Sequence, residues 1–304
     1  MYDLLIQIGL PIAVVLMMTG VGLSLTPADF RRVAQQPQSF ILGAVTQLLA
    51  LPLICVVVIA AFDLTGELAI GLFIIALSPG GPPSNLFAYL AKGDVGLSVS
   101  LTAVIGLITP LTIPLLASWA LGYYANNQQI LELPVLRTWL QLIMLTVMPV
   151  LVGMVLRARW PQLAIKTGPY ISKLSVATLA AVTLSIVINI GTQVIDYAIV
   201  AGPAVLTLNL LTMLLGYSAG KWLLNNEAQA RSIGLEAGLQ NGTLAILITA
   251  TLINTSVANA TLISSAEMTI APTIYSLFMF VSAGLFTGLM LKKDQTRFRQ
   301  KAVQ

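Results

Sequence analysis

The chain has 304 residues, of which 57% are hydrophobic and only 9% are charged, and its net charge is +4. A soluble domain carries roughly a quarter charged residues, so this composition indicates a membrane protein. The sequence has no histidine and a single cysteine, Cys55, which excludes a His/Cys metal site, a histidine-based catalytic triad and an intrachain disulfide. The basic residues lie at the ends of apolar runs, so no nucleic-acid partner is expected.

The apolar runs, taken in chain order, predict an all-α polytopic membrane protein with nine transmembrane helices. Each span needs about 20 residues. The predicted spans are 4–25, 38–61, 67–91, 95–123, 137–156, 170–191, 198–223, 228–253 and 266–291. The first span lacks the basic start and the cleavage site of a signal peptide, so it is expected to be retained. The whole chain, 1–304, is therefore predicted to form a single membrane-embedded domain.

The distribution of lysine and arginine predicts how the chain is oriented in the membrane. When nine spans are threaded through a bilayer, 14 of the 15 basic residues fall on one side and only Arg137 falls on the other. Basic residues concentrate in cytoplasmic connections. We therefore expect the N-terminus outside and the C-terminus in the cytoplasm.

Two of the predicted spans are interrupted. The third contains SPGGPPSN (78–85), whose glycines and prolines cannot continue an α-helix, and the eighth contains the polar stretch LEAGLQNGT (235–243). Spans 1–4 and 6–9 would be inverted repeats, in which these two breaks occupy matching positions and run in opposite directions. Such a pair of breaks is typical of the binding site of a secondary transporter, whereas a single break is explained as well by packing.

Glu236 is a carboxylate within the second break. Counted from a helix start near Asn226, it lies about 14 Å into a hydrocarbon core that is roughly 30 Å thick. A charge at this depth costs about 2.5–3.5 kcal/mol on insertion scales. No basic residue is predicted nearby, so we expect the counter-charge of Glu236 to be a mobile cation.

Neutral side chains with oxygen atoms are expected to complete the surroundings of this carboxylate. They are Gln47, Ser84, Asn85, Ser98, Thr102 and Gln240. One carboxylate with neutral oxygens suits a monovalent hard cation better than calcium or magnesium. Taken singly, Ser98 or Thr102 more often bonds its own helix backbone, so only the whole group favours a site. Asn209 is expected to be an interhelical hydrogen-bond donor rather than a ligand.

Three stretches resemble the bile acid:sodium symporter family, namely GVGLSLTPADFRR (20–32), SPGGPPSNLFAYLAKGDVGLSVSLT (78–102) and EAGLQNGTLA (236–245). The resemblance covers nearly the whole chain. It implies a core domain, 38–123 and 198–291, a panel domain, 4–25 and 137–191, and broken third and eighth spans that cross at their unwound centres. It also implies a bacterial inner-membrane symporter that imports an organic anion by alternating access, with two sodium ions for coupling and no other cofactor.

The same resemblance implies roles for individual residues. The first sodium site would use Ser84, Asn85, Ser98, Thr102 and Glu236. The second would use Gln47, Glu236, Gln240 and the carbonyl groups of Ala237 and Leu239. The substrate would contact Pro82, Asn85 and Asn241. An asparagine of the family in the last helix is replaced by Phe280, so bile-acid specificity does not carry over, and pantoate or keto acids are alternative substrates.

Other functions remain open at this point. Glu236 could instead carry a proton, which would make the protein a proton-coupled transporter of organic anions. An enzyme is not expected, because the chain has no histidine and no carboxylate pair within the predicted spans. A channel would be recognised by unitary currents rather than by saturable uptake.

Overall fold

The fold is described from a computed structural model, which covers residues 5–124, 134–256 and 263–302. The predicted start of the first span, residue 4, lies outside these ranges. Within them the chain forms helices, together with an isolated antiparallel backbone bridge. The α-helices are α1 (Leu10–Ser24), α2 (Pro27–Gln35), α3 (Pro37–Val45), α4 (Leu51–Ala61), α5 (Gly66–Leu77), α6 (Pro83–Leu90), α7 (Val95–Tyr124), α8 (Val135–Leu142), α9 (Met148–Arg159), α10 (Pro161–Ile190), α11 (Gln193–Leu224), α12 (Glu227–Gly238), α13 (Gly242–Ser256) and α14 (Ile263–Ala302).

Six helical runs in the described part of the chain are long and apolar enough to cross a membrane. They are Ile6–Ser24, Pro37–Ala61, Val95–Tyr124, Val135–Arg159, Gln193–Leu224 and Glu267–Thr296. Each of them coincides with one of the predicted spans to within a few residues. The all-α, multi-pass membrane architecture predicted from the sequence is therefore confirmed, although the count of nine spans remains a prediction.

Both predicted interruptions are present in the structure. The third predicted span is divided into α5 and α6, and Pro82 and Pro83 stand where α6 begins. The eighth is divided into α12 and α13, which end and begin at Gly238 and Gly242. The start of α12 also agrees with the sequence, because the Asn226 side chain accepts hydrogen bonds from the backbone N–H groups of Ala228 and Gln229.

Three wide helical turns precede prolines in the described long helical runs. The turns Leu5–Gly9, Thr46–Ala50 and Ile143–Val147 are π-helical, and they are followed by Pro11, Pro52 and Pro149. A proline ring clashes with the preceding turn of an α-helix, and a wider turn is one way to accommodate it. The second of these turns carries Gln47, one of the predicted ligands.

The helices associate in two groups. In one group α1 packs against α9 and α10. The backbones of α1 and α9 meet at Gly22 and Gly153, where a Cβ atom on either glycine would overlap the backbone of the other helix. In the other group α5 packs against α14, and α11 packs against α12. The two broken helical pairs are held by the second group and face the first.

Candidate functional site

The two helix breaks cross each other and pair through their backbones. Gly80 and Gln240 form an antiparallel bridge. The N–H of Gly81 donates to the carbonyl of Leu239 at 2.7 Å, and the N–H of Asn241 donates to the carbonyl of Pro79 at 2.8 Å. Unwound backbone at membrane depth must find such partners within the protein. The backbone polar groups at the crossing are therefore hydrogen-bonded within the protein. The two unwound segments run in opposite directions.

The Glu236 carboxylate lies beside this crossing and is surrounded by hydroxyl groups. It is 1% exposed. Ser84 and Ser98 donate to its Oε2 atom at 2.5 and 2.8 Å, and Thr102 donates to Oε1 at 2.6 Å. Hydrogen bonds to an ionised acceptor are among the stronger ones in proteins. Ser98 and Thr102 thus point away from their own helix backbone, which is the less common choice for these side chains.

No basic side chain neutralises this carboxylate within the described residues. The ion pairs seen there involve Arg32 with Asp94, Arg231 with Glu227 and Asp294, and Lys293 with Glu227. A hydroxyl group is both a donor and an acceptor, so each can rotate to present its oxygen to a cation. The three hydroxyl groups around Glu236 are thus chemically able to donate to the carboxylate or to accept a cation.

A second group of oxygens lies on the main-chain side of Glu236. The Nε2 group of Gln47 donates to the Glu236 carbonyl at 2.9 Å, and the Nε2 group of Gln240 donates to the Ala237 carbonyl at 2.8 Å. The Oε1 atoms of both glutamines are buried and have no hydrogen-bond partner among the described residues. Buried amide oxygens without a partner are costly. Amide oxygens of this kind are suitable ligands for hard cations.

The predicted ligands are thus gathered at one place, with different roles in the hydrogen-bonding network. Ser84, Ser98 and Thr102 contact the Glu236 carboxylate directly. The Oδ1 atom of Asn85 is buried without a partner in the described part of the chain. The carbonyl of Leu239, predicted as a ligand, accepts the hydrogen bond from Gly81. The assignment of these residues to two sodium ions stays a prediction.

The end of α12 is supported by two side chains that bond the Gly238 carbonyl. Asn209 Nδ2 donates to it at 2.6 Å and the Tyr275 hydroxyl donates at 3.0 Å. The Oδ1 atom of Asn209 accepts a short hydrogen bond from Ser282. Asn209 is therefore an interhelical donor, as predicted. Tyr275 was missed by the sequence reasoning, because a tyrosine in an apolar helix carries no signal of its distant partner.

A cavity of about 660 Å³ adjoins the crossing. Its walls come from the crossing and α6 on one side and from α1, α9, α10 and α14 on the others. All three residues expected to contact substrate, Pro82, Asn85 and Asn241, line it, and so does Phe280. The side-chain oxygen of Asn241 caps α13 by accepting the N–H of Leu244 at 3.0 Å, and its buried Nδ2 group has no partner among the described residues.

The fold and this site define a multi-pass membrane transporter, in which a buried carboxylate and neutral oxygens lie at the crossing of two broken helices. Residues 11–197 match the model of the Sodium Bile acid symporter family. The match covers more than half of the chain, and the protein belongs to this family. Sodium-coupled transport is the activity that the membership supports.

Individual relatives agree with this assignment. The chain is 26% identical to an uncharacterized sodium-dependent transporter of Bacillus subtilis, over 75% of this chain and 70% of the relative. It is 27% identical to the human ileal sodium/bile acid cotransporter, over 96% of this chain and 81% of the relative. A probable sodium/metabolite cotransporter of Arabidopsis chloroplasts is 29% identical, over 76% of this chain. The chain spans about half the length, 56%, of this plant relative.

Proposed function

We propose that the protein is a secondary active symporter that imports an organic anion together with two sodium ions. The observation that carries the proposal is the Glu236 carboxylate, which is buried at the crossing, surrounded by three hydroxyls and free of any ion pair within the described residues. A carboxylate in such a place requires a counter-charge. Membership of a sodium-coupled family supports sodium as this counter-charge.

Two cations would share Glu236 in this proposal. The first would be held by the carboxylate with Ser84, Asn85, Ser98 and Thr102. The second would be held by Gln47, Gln240, Glu236 and the carbonyls of Ala237 and Leu239. The unpartnered amide oxygens of Gln47, Asn85 and Gln240 support this division. Two sodium ions with one monovalent anion carry a net charge of +1, so a 100 mV inside-negative potential adds about 2.3 kcal/mol per cycle.

The transport cycle would be alternating access between two bodies. The panel domain would be 4–25 and 137–191, and the core domain would be 38–123 and 198–291. α1 packs more extensively against α9 and α10 than against α13, and this supports the division. Spans 1–4 and 6–9 would form inverted repeats, with α5–α6 and α12–α13 as the broken members. The cavity beside the crossing would hold the anion against Asn241, Asn85 and Pro82.

The topology that accompanies this function has nine spans, with the N-terminus outside and the C-terminus in the cytoplasm. The six long helical runs, the two broken pairs and α10 supply the nine segments. The basic residues support the orientation. A bacterial inner membrane, across which a sodium gradient and a potential are both maintained, is the proposed location.

Uptake into proteoliposomes tests the proposal. Taurocholate, pantoate and a keto acid are offered under an inward sodium gradient, under a potassium gradient of equal size, and under a pH gradient without sodium. We expect saturable uptake of at least one anion with sodium alone. Uptake driven by pH without sodium would instead identify Glu236 as a proton carrier, and unitary currents would identify a channel.

The variant Glu236→Gln sharpens this test because it removes the charge and keeps the shape. We expect it to abolish sodium-driven uptake. The matched control is Glu67→Gln, which makes the same chemical change in the first turn of α5, away from the crossing, and should keep uptake. Sodium-driven uptake by Glu236→Gln at the normal rate would refute the site.

A further inference from the structure

The cavity beside the crossing contains a charged residue that the predicted site did not include. Of the described residues that line it, Arg157 alone carries a charge. The remaining lining is apolar or neutral, and it includes Met17 and Val21 of α1 and Phe280 of α14. Arg157 is half-buried, and a charge beside an apolar wall interacts more strongly with a ligand than one surrounded by bulk water, since the local dielectric is lower. Among the described lining residues, Arg157 is therefore the cation that an anion in the cavity would meet.

Most N–H groups of the Arg157 guanidinium make no hydrogen bond among the described residues. Its one described hydrogen bond runs from Nη1 to the carbonyl of Pro161 at 3.5 Å, which is long for such a bond. The ion pairs in the described part of the chain use other cations, namely Arg32, Arg231 and Lys293. A guanidinium has five N–H donors arranged to bind carboxylate or a similar oxyanion.

An arginine at this place also has an ordinary explanation. Arg157 lies in the last turn of α9, where a cation interacts favourably with the helix dipole, and at a helix end where basic residues set the orientation. Arg159 lies in the same turn and satisfies both requirements. It differs in position, because its guanidinium carbon lies 6.0 Å from the centre of the Trp160 ring and it does not line the cavity. A comparison of variants at Arg157 and Arg159 therefore separates anion binding from the ordinary role of a basic residue at a helix end.

We propose that Arg157 is the residue that binds the negative charge of the transported anion. This inference rests on the proposed function and adds the recognition of the charge to it. The buried Nδ2 group of Asn241, unpartnered among the described residues, provides a second donor within the same cavity. The preferred ligand then has a carboxylate or sulfonate for Arg157, an apolar body for Met17, Val21 and Phe280, and a separate oxygen acceptor for Asn241.

Ligand binding to the purified full-length protein tests the assignment. Taurocholate and pantoate are titrated in sodium chloride, and Kd is obtained from the shift in thermal stability. Pantolactone, the uncharged lactone of pantoate, serves as the neutral probe. The variants are Arg157→Gln, Arg157→Lys and Arg159→Gln, so that the loss of one positive charge is compared at two positions in one helical turn.

We expect Arg157→Gln to raise the Kd of the bound anions about tenfold or more, which is the usual effect of losing a charge-assisted hydrogen bond. Arg157→Lys should recover part of the affinity, and Arg159→Gln should leave it unchanged. Arg157→Gln should also lose the preference for pantoate over pantolactone, which a purely structural role would not affect. If Arg157→Gln does not fold, the Kd of Arg157→Lys must still rise, because an ammonium lacks the planar fork of donors.

Several outcomes would overturn the assignment. These are an unchanged anion Kd in both Arg157 variants, an equal loss in Arg159→Gln, and a wild-type protein that neither anion stabilises. Failure of the proposed function is separate from these results. It would show as anion binding or uptake by the wild-type protein that does not depend on sodium.

Discussion

The α-carbon of Gly80 lies directly against the Glu236 carboxylate, so that a Cβ atom at position 80 would overlap the Oε1 atom. The same Cβ atom would lie 2.9 Å from Gln47 Nε2. Glycine is required here by the close approach of the backbone to the candidate ion site, and not only by the interruption of the helix.

The substitution Gly80→Ala should therefore disrupt the site. The added methyl group must displace the carboxylate or Gln47, and overpacking of this kind typically costs about 1–3 kcal/mol. We expect sodium to lose its stabilising effect on thermal unfolding. The control is Gly106→Ala in α7, where a Cβ atom would have nothing within 4 Å. An unchanged sodium effect in Gly80→Ala would mean that the carboxylate does not bind the ion.

Thr102→Val removes the hydroxyl that donates to Oε1 and keeps the shape of the side chain. In the proposed first sodium site the Thr102 hydroxyl is a ligand of the ion, and valine has no oxygen to replace it. The sodium concentration for half-maximal uptake should therefore rise about tenfold, which corresponds to about 1.4 kcal/mol. Thr109→Val is the control on the same helix, because the buried Thr109 hydroxyl has no partner in the described residues. Sodium affinity should be unaffected there, and an equal effect of both variants would count against a role for Thr102.

Asn209 and Tyr275 should show coupled effects on stability, because both donate to the Gly238 carbonyl. Either Asn209→Ala or Tyr275→Phe leaves one donor. Tyr275→Phe should cost about 1 kcal/mol, and Asn209→Ala should cost about 2 kcal/mol because it also removes the acceptor of Ser282. The double variant leaves a buried helix-end carbonyl bare, so its cost should exceed the sum by about 1 kcal/mol. Unfolding in mixed detergent micelles measures the cycle. Strict additivity would show that the two donors do not share this acceptor.

Asp294→Asn should be strongly destabilising. Arg231 is 3% exposed and binds Asp294 through two contacts of 2.6 and 3.0 Å, while its Nη1 also donates to the carbonyl of Ala91. Hydrogen bonds to charged groups contribute about 1.5–3 kcal/mol, and the cost should lie in this range because Glu227, 3.5 Å from the guanidinium, still neutralises Arg231 in the variant. Asp63→Asn makes the same charge change at an exposed turn and should have little effect. Similar unfolding free energies for the two variants would contradict the role of the pair.

The sequence predicted the interruptions and their carboxylate because local chemistry determines both. Glycine and proline prevent helix continuation wherever they cluster, as in 78–85, and Asn226 caps a helix through its own neighbours. Glu236 is buried in the structure, and its depth in a bilayer stays a prediction. Arg231, the nearest basic residue in the sequence, is engaged with Asp294 and Glu227 instead.

Other features depend on contacts between distant segments, which periodicity does not reveal. The hydroxyls of Ser98 and Thr102 had an acceptable partner in their own backbone, and only the proximity of Glu236 directs them elsewhere. The π-helical turn at Gln47 has no sequence signature beyond the proline that follows it. The sequence places Arg157 only among the basic residues that indicate topology, because nothing in its neighbourhood along the chain distinguishes it from Arg159.

The backbone pairing at the crossing also has a consequence for biogenesis. The bonds from Gly81 to Leu239 and from Asn241 to Pro79 join segments from the first third and the last quarter of the chain. During synthesis the first break enters the membrane before the second break exists. Its backbone N–H and C=O groups therefore lack their hydrogen-bond partners until the second break is inserted. In an incompletely synthesised chain the backbone at Pro79 and Gly81 therefore lacks the hydrogen-bond partners that it has in the finished protein.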